Sequence, residues 1–203
     1  MAYTEVYLRH YLQKKAGVFL FSKKGVYFMN THLKKLIFAA VMLAAAFLLP
    51  FLTANLKEIG NMLCPMHIPV LICGFVCGWK YGLAVGAIAP ILRSLTVGMP
   101  QMFPNALGMM FELAVYGLMA GLLYMLLPKK LPYIYVALIG AMLAGRAVWG
   151  LAYWAITSAM GMDFTFIMFL TSAFAKALPG IAIQIVLIPP IVLAVNKVRK
   201  AEV

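Results

Sequence analysis

Two hundred and three residues set a ceiling of one modest domain, and the chain is 65% hydrophobic and only 11% charged, with a mean hydropathy of +0.98. A soluble domain of this size needs far more polar residues to coat its surface, so that class is all but excluded. The formal net charge of +12 comes from 17 Lys and Arg against 5 Asp and Glu. These cations form no nucleic-acid-binding stripe. They fall in short clusters between long apolar runs, as they do around the cytoplasmic loops of a polytopic membrane protein.

Residues Met1 to Asn30 carry Arg9, Lys14, Lys15, Lys23 and Lys24 around the short apolar run Val18 to Phe21. No stretch there is long enough to cross a bilayer, so residues 1–30 read as a basic cytoplasmic or interfacial tail ahead of a membrane domain over residues 31–203. Ser22, Lys23 and Lys24 directly after the apolar run do not fit a signal-peptide cleavage site. Met29 is an alternative start, which would make the tail an extension.

The first span is Leu36 to Leu52, whose residues rise about 25 Å as a helix. A second apolar run covers Met62 to Gly78, with Pro65 and Pro69 in its opening turns and Trp79-Lys80-Tyr81 as the turn after it. The third, Gly82 to Val97, contains Pro90 and Arg93. Gly98 to Pro104 reads as a loop, since two prolines and a glycine do not continue a regular helix. A fourth span runs Ala106 to Leu127 and a fifth Pro132 to about Ser158, with a turn at Gly161-Met162-Asp163. The sixth is expected as one segment from Phe166 to Val195, kinked or ended by Pro179, Pro189 and Pro190.

Alternate sides of this scheme differ in charge. One side holds Lys34, Lys35, Lys80, Lys129, Lys130, Lys197, Arg199 and Lys200 besides the cations of the tail, and the other holds only Lys57. The bias predicts an all-α bundle of six transmembrane helices with both termini cytoplasmic.

Arg93, Arg146, Lys176 and Glu112 fall inside the spans, where each is costly against lipid and so is expected to face the bundle interior, a cavity or a partner. Counting helix rise puts Glu112 about 12 Å from the outer side and Arg146 about 21 Å from the inner one, with Arg93 near its outer loop and Lys176 close to mid-membrane. With His67 near the outer end of span two, they are expected to converge on a solute site open to the outside. Surplus cations would suit a carboxylate or another anionic oxygen. The competing reading is an ion-pair lattice, in which Glu112 neutralises Arg93 or Arg146 and only fixes helix register. Phe103, Phe111, Trp149, Tyr153 and Trp154 could stack on a planar ring or form an interfacial belt; Trp149 and Tyr153 reach the level of Arg146.

Cys64, Cys73 and Cys77 crowd one segment and read as reduced packing residues; with a lone nearby histidine they suggest no metal site. Small residues recur four apart at Ala40/Ala44, Gly74/Gly78, Gly82/Gly86 and Gly117/Gly121, where helix backbones can approach closely. No phosphate-binding loop, zinc-protease motif or nucleophile elbow is present, so no catalysis and no cofactor is expected.

Cys64-Pro65-Met66-His67-Ile68-Pro69, Ala89-Pro90-Ile91-Leu92-Arg93-Ser94-Leu95, Met102-Phe103-Pro104-Asn105-Ala106 and Phe111-Glu112-Leu113-Ala114, within a core from Thr31 to Lys200, resemble bacterial substrate-binding S components of energy-coupling factor (ECF) transporters. The resemblance implies a multi-pass subunit of the bacterial cytoplasmic membrane that captures a vitamin, a precursor or a metal ion. It implies partners as well: a transmembrane coupling protein that meets Ala40 and Ala44, and two cytoplasmic ATPases that power toppling of the S component. The ligand would lie beneath Thr53 to Asn61 and Gly98 to Pro104, with His67, Arg93, Phe103, Glu112, Arg146, Trp149, Tyr153 and Lys176 as candidate contacts. Two other classes stay open: a stand-alone secondary transporter or facilitator, and a non-transporting assembly protein.

Overall fold

A computed structural model describes residues 31–52 and 64–201, with side chains through Lys197. The chain divides into two compact units, Met1–Ile37 and Phe38–Val203. The tail expected over residues 1–30 and the loop Thr53 to Asn61 lie outside the described residues.

The described elements are all helical: α1 (Thr31–Leu52), α2 (His67–Cys77), α3 (Trp79–Val97), α4 (Leu107–Leu126), α5 (Leu131–Ala159), the short α6 (Phe166–Leu170) and α7 (Leu178–Ala201). The segments Thr31–Phe51, Met102–Leu126, Leu131–Ala159 and Leu178–Lys197 are long and apolar enough to cross a membrane. The protein is thus an all-α, multi-span membrane bundle. Leu95, Leu126, Leu151 and Val186 are among the large apolar side chains left on its outside, where a bilayer can cover them.

Local chemistry explains most boundaries. The His67 amide donates to the Cys64 carbonyl at 3.0 Å, starting α2 after Pro65, and Pro69 sits early enough that its missing amide costs nothing. Trp79-Lys80-Tyr81, expected as a turn, instead opens α3. The turn is the single residue Gly78, whose φ of 97° a residue with a side chain rarely adopts. α3 continues through Pro90 and closes at Gly98, which is left-handed at φ 74° and donates its amide to the Ser94 carbonyl. A wide five-residue turn, Met102–Ala106, with Phe103 extended, then leads into α4.

The sixth span is interrupted ahead of the first of the three prolines expected to kink or end it. It is not one helix from Phe166 to Val195: α6 passes into a wide turn at Thr171–Ala175, and α7 begins afresh at Leu178. Pro179 is the reason. A proline biases the residue before it away from helical geometry and is accommodated best in a first turn, which is where α7 places it. Pro189 and Pro190, by contrast, lie within α7 without ending it.

Helix α4 is the hub, packed by α2, α3 and α5. Cβ atoms added at Gly74 or Gly82 would collide with the Gly117 carbonyl, at Gly86 with the Leu113 backbone, and at Gly121 with the Trp79 backbone. The glycine repeats are therefore the seam along which α2, α3 and α4 meet almost backbone to backbone. On the opposite side of α4, the Tyr116 ring fills the place a side chain at Gly145 would take. α7 contributes Ile188 and Val192 to the core, and its Asn196 amide donates to the Tyr124 hydroxyl at 2.8 Å. α1 turns Ala39 and Ala46 inward, whereas Ala40 and Ala44 are exposed.

Candidate functional site

Two features lie one after the other along one face of α5. The first is a buried polar cluster. Glu112 and Tyr116 are four residues apart on one face of α4, and Arg146 stands opposite, about midway along α5. Arg146 Nε donates to the Tyr116 hydroxyl at 3.0 Å and lies 3.4 Å from Glu112 Oε1. His67, at the start of α2, brings Nε2 to 3.6 Å from the same carboxylate oxygen and sets its ring edge-on to Tyr116. All four side chains are buried.

Away from water, Glu112 and Arg146 are each other's counterion, and the cluster ties α2, α4 and α5 into one register. Arg146 Nη2 and the His67 ring nitrogens have no hydrogen-bond partner among the described residues.

The structure thus joins three of the charged or titratable candidates and separates the other two. Arg93 does not pair with Glu112. It donates Nη1 to the Phe47 carbonyl of α1 at 2.9 Å, with its guanidinium over the Phe51 ring, which fastens the end of α1. Lys176 is not buried in the bundle; the break after α6 leaves it exposed in the turn before α7. The three cations expected to share one pocket consequently do not.

Tyr116 escaped the sequence reading although its spacing from Glu112 was visible. Gln184 of α7 was missed too. It is fully buried, and its amide has no hydrogen-bond partner among the described residues.

The second feature is a cavity of about 380 Å³, lined by Asn105, Trp149, Tyr153, Thr157, Met162, Asp163, Phe164, Met168 and Ser172. Trp149, Tyr153 and Thr157 continue the α5 face that Arg146 begins. Gly108 of α4 makes room for the two rings: a Cβ there would be 3.1 Å from Tyr153 and 3.3 Å from Trp149. The Tyr153 hydroxyl donates to Asn105 Oδ1 at 3.3 Å, tying α5 to the turn before α4. Trp149, Tyr153 and Phe164 contact one another in all three pairs, with ring centroids 4.9 to 6.1 Å apart. Phe103, also a candidate, is exposed and does not line this cavity.

A second cavity of about 490 Å³ lies between α5 and α6, lined by Ala147, Gly150, Leu151, Trp154, Phe164, Thr165, Phe166 and Phe169. Its walls are almost wholly carbon, and Leu151, Trp154 and Phe166 are exposed. It lacks the few placed polar groups that orient a specific ligand. Among the described residues, no group of three His, Cys, Asp or Glu side chains is placed to hold a metal ion.

Residues 34–192 match the family described as ECF transporter, substrate-specific component. No curated protein and no solved structure matches the chain. With most of its length covered, the chain belongs to the family of ECF transporter substrate-specific components. It is therefore a membrane-embedded, non-catalytic binding subunit of a transport system, and its family implies the usual ECF partners of coupling protein, ATPases and membrane.

Proposed function

We propose that this chain captures a small ring-bearing solute, a vitamin or vitamin precursor, from outside a bacterial cell, in the cavity beside Trp149 and Tyr153. A toppling motion driven by two cytoplasmic ATPases through the coupling protein then delivers it inward. The observation that carries this reading is the cavity itself. Its volume suits a single small molecule, its aromatic walls suit a planar ring, and Asn105, Thr157, Asp163 and Ser172 offer polar contacts.

Charge supports the outward orientation. The connections on the cavity side, residues 98–106 and 160–165, hold no Lys or Arg, whereas Lys80, Lys129, Lys130 and Lys197 lie at the other helix ends. Six spans with both ends inside account for that distribution if α2 and α3 count as two and α6 with α7 as one. A carboxylate on the ligand loses most of its basis, because the cavity lining contains no cation and Arg146 already has Glu112.

Native mass spectrometry of freshly purified protein is expected to show a bound molecule. Uptake into proteoliposomes is expected only with the coupling protein, the ATPases and ATP. Uptake by this chain alone would instead make it a secondary transporter or facilitator, and no saturable binding would make it an assembly protein.

Ala40 and Ala44 present a small-residue stripe on the outer side of α1, away from the inward Ala39 and Ala46, which suits close approach of a partner helix. Replacing both with Leu is expected to leave ligand binding within about twofold and to cut energised uptake by more than tenfold, because the side chains point away from the core yet would hold a partner backbone off. Equal losses of binding and uptake would refute this division of roles.

A further inference from the structure

We infer that the cavity beside Trp149 selects a solute carrying a positive charge, with Asp163 as its counterion and the Trp149, Tyr153 and Phe164 rings as its walls. This rests on reading that cavity as the capture site. Three observations carry it. Asp163 is the single charged residue among the nine that line the space, with neither Lys, Arg nor His beside it. Three aromatic rings in the lining meet in pairwise contact, and the faces of such rings are negative. A cation set against several aromatic faces is held by their quadrupoles, more strongly as water is excluded, and this is how proteins hold alkylated ammonium groups.

The remaining polar groups agree. Asn105 Oδ1 already accepts from Tyr153, and the Thr157 hydroxyl donates to the Tyr153 carbonyl at 2.7 Å. The Thr157 hydroxyl hydrogen is thus engaged, while the Asn105 amide nitrogen and the Ser172 hydroxyl are neutral donors that bring no positive charge to an anion. Met162 and Met168 add polarizable thioethers. An anionic ligand would meet the Asp163 carboxylate with no cation in the lining to offset it, so the carboxylate that attracts a cation disfavours an anion.

The test uses one ring at three charges: ring-methylated nicotinamide (a pyridinium cation), nicotinamide (neutral) and nicotinate (an anion). Each is isotope-labelled and measured by equilibrium dialysis against the detergent-solubilised full chain, wild type and Asp163→Asn. Because Asp163 is exposed in a connection outside the helices, the variant is expected to melt as the wild type does.

The wild type is expected to bind the cation about tenfold more tightly than the neutral ring, with the anion weakest, as for a charge-assisted contact in a partly dry site. In Asp163→Asn the cation and the neutral ring are expected to bind within about threefold of each other. Three results would overturn the inference: a preference for nicotinate or none at all, a cation preference that survives Asp163→Asn, or no saturable binding of any probe up to about 10 mM, weaker than a fragment of this size requires. The two readings fail separately. Energised uptake of a co-purified solute without cation preference would leave capture standing and remove the selectivity. Cation binding without any energised uptake would do the reverse.

Discussion

Gly117→Val is expected to prevent accumulation of folded protein. A side chain at Gly117 would run into the backbone of Gly82 rather than the end of a flexible side chain, so neither rotamer change nor local repacking makes room. α3 would have to move off α4, and in moving it would open the contacts of Gly86 with Leu113 and of Trp79 with Gly121 along the same seam. Helix association in a bilayer depends on this kind of close packing, because burial from lipid supplies little drive. Ordinary overpacking costs about 1–3 kcal/mol; a rigid backbone collision repeated along a seam belongs with the exceptional substitutions above about 4 kcal/mol. Gly140→Ala is the matched control. The only close neighbour of a Cβ there is the Leu123 Cδ1 methyl at 3.0 Å, which can swing aside, and the helix gains propensity, so a change within about 1 kcal/mol is expected. Size-exclusion profiles and melting in detergent read both; a Gly117→Val protein that melts like the wild type would mean that α3 and α4 stand further apart than described.

Arg146→Ala is expected to cost about 3–5 kcal/mol, because it removes the arginine counterion of the buried Glu112 carboxylate. The informative comparison is the double variant Glu112→Leu with Arg146→Met, which removes both charges while keeping volume. It is expected to recover most of the lost stability, to within about 1–2 kcal/mol of the wild type, since a buried pair is often replaceable by apolar groups that fill its space. Ligand affinity is expected to fall in Arg146→Ala, because Trp149 lies one turn above Arg146 on the same face of α5 and depends on that helix keeping its register. Denaturant unfolding and ligand binding on the three variants separate the effects. A double variant as unstable as the single one would show that the cluster contributes through its hydrogen bonds with Tyr116 and not through charge balance.

Long apolar runs made α1, α4 and α5 legible, and glycines four apart announced the seam. Glu112 announced a cationic partner, since a lone carboxylate in an apolar helix requires a cation on a neighbouring one, but left Arg93 and Arg146 as alternatives; the structure pairs it with Arg146. Arg93 could not be read so. Its partner is the Phe47 carbonyl, and every residue of a helix carries a carbonyl, so no pattern singles one out. The exposure of Lys176 was not legible because Thr171 to Ala175 contains nothing that forbids a helix; only Pro179, further on, signals the break. The cavity was the least legible part. Asn105, Asp163 and Ser172 come from three separate connections or turns, and Asp163 in the sequence marks a turn and nothing more.

The interrupted last segment also bears on where water goes. Pro179 has no amide to offer the carbonyl four residues before it, that of Ala175, and Ala175 is exposed. A carbonyl deprived of that partner is costly against hydrocarbon, so this stretch is expected to border water or another polypeptide. The wide turn carries Ser172 into the cavity wall; under the proposed function, that wall is where an arriving solute would first exchange solvent for protein.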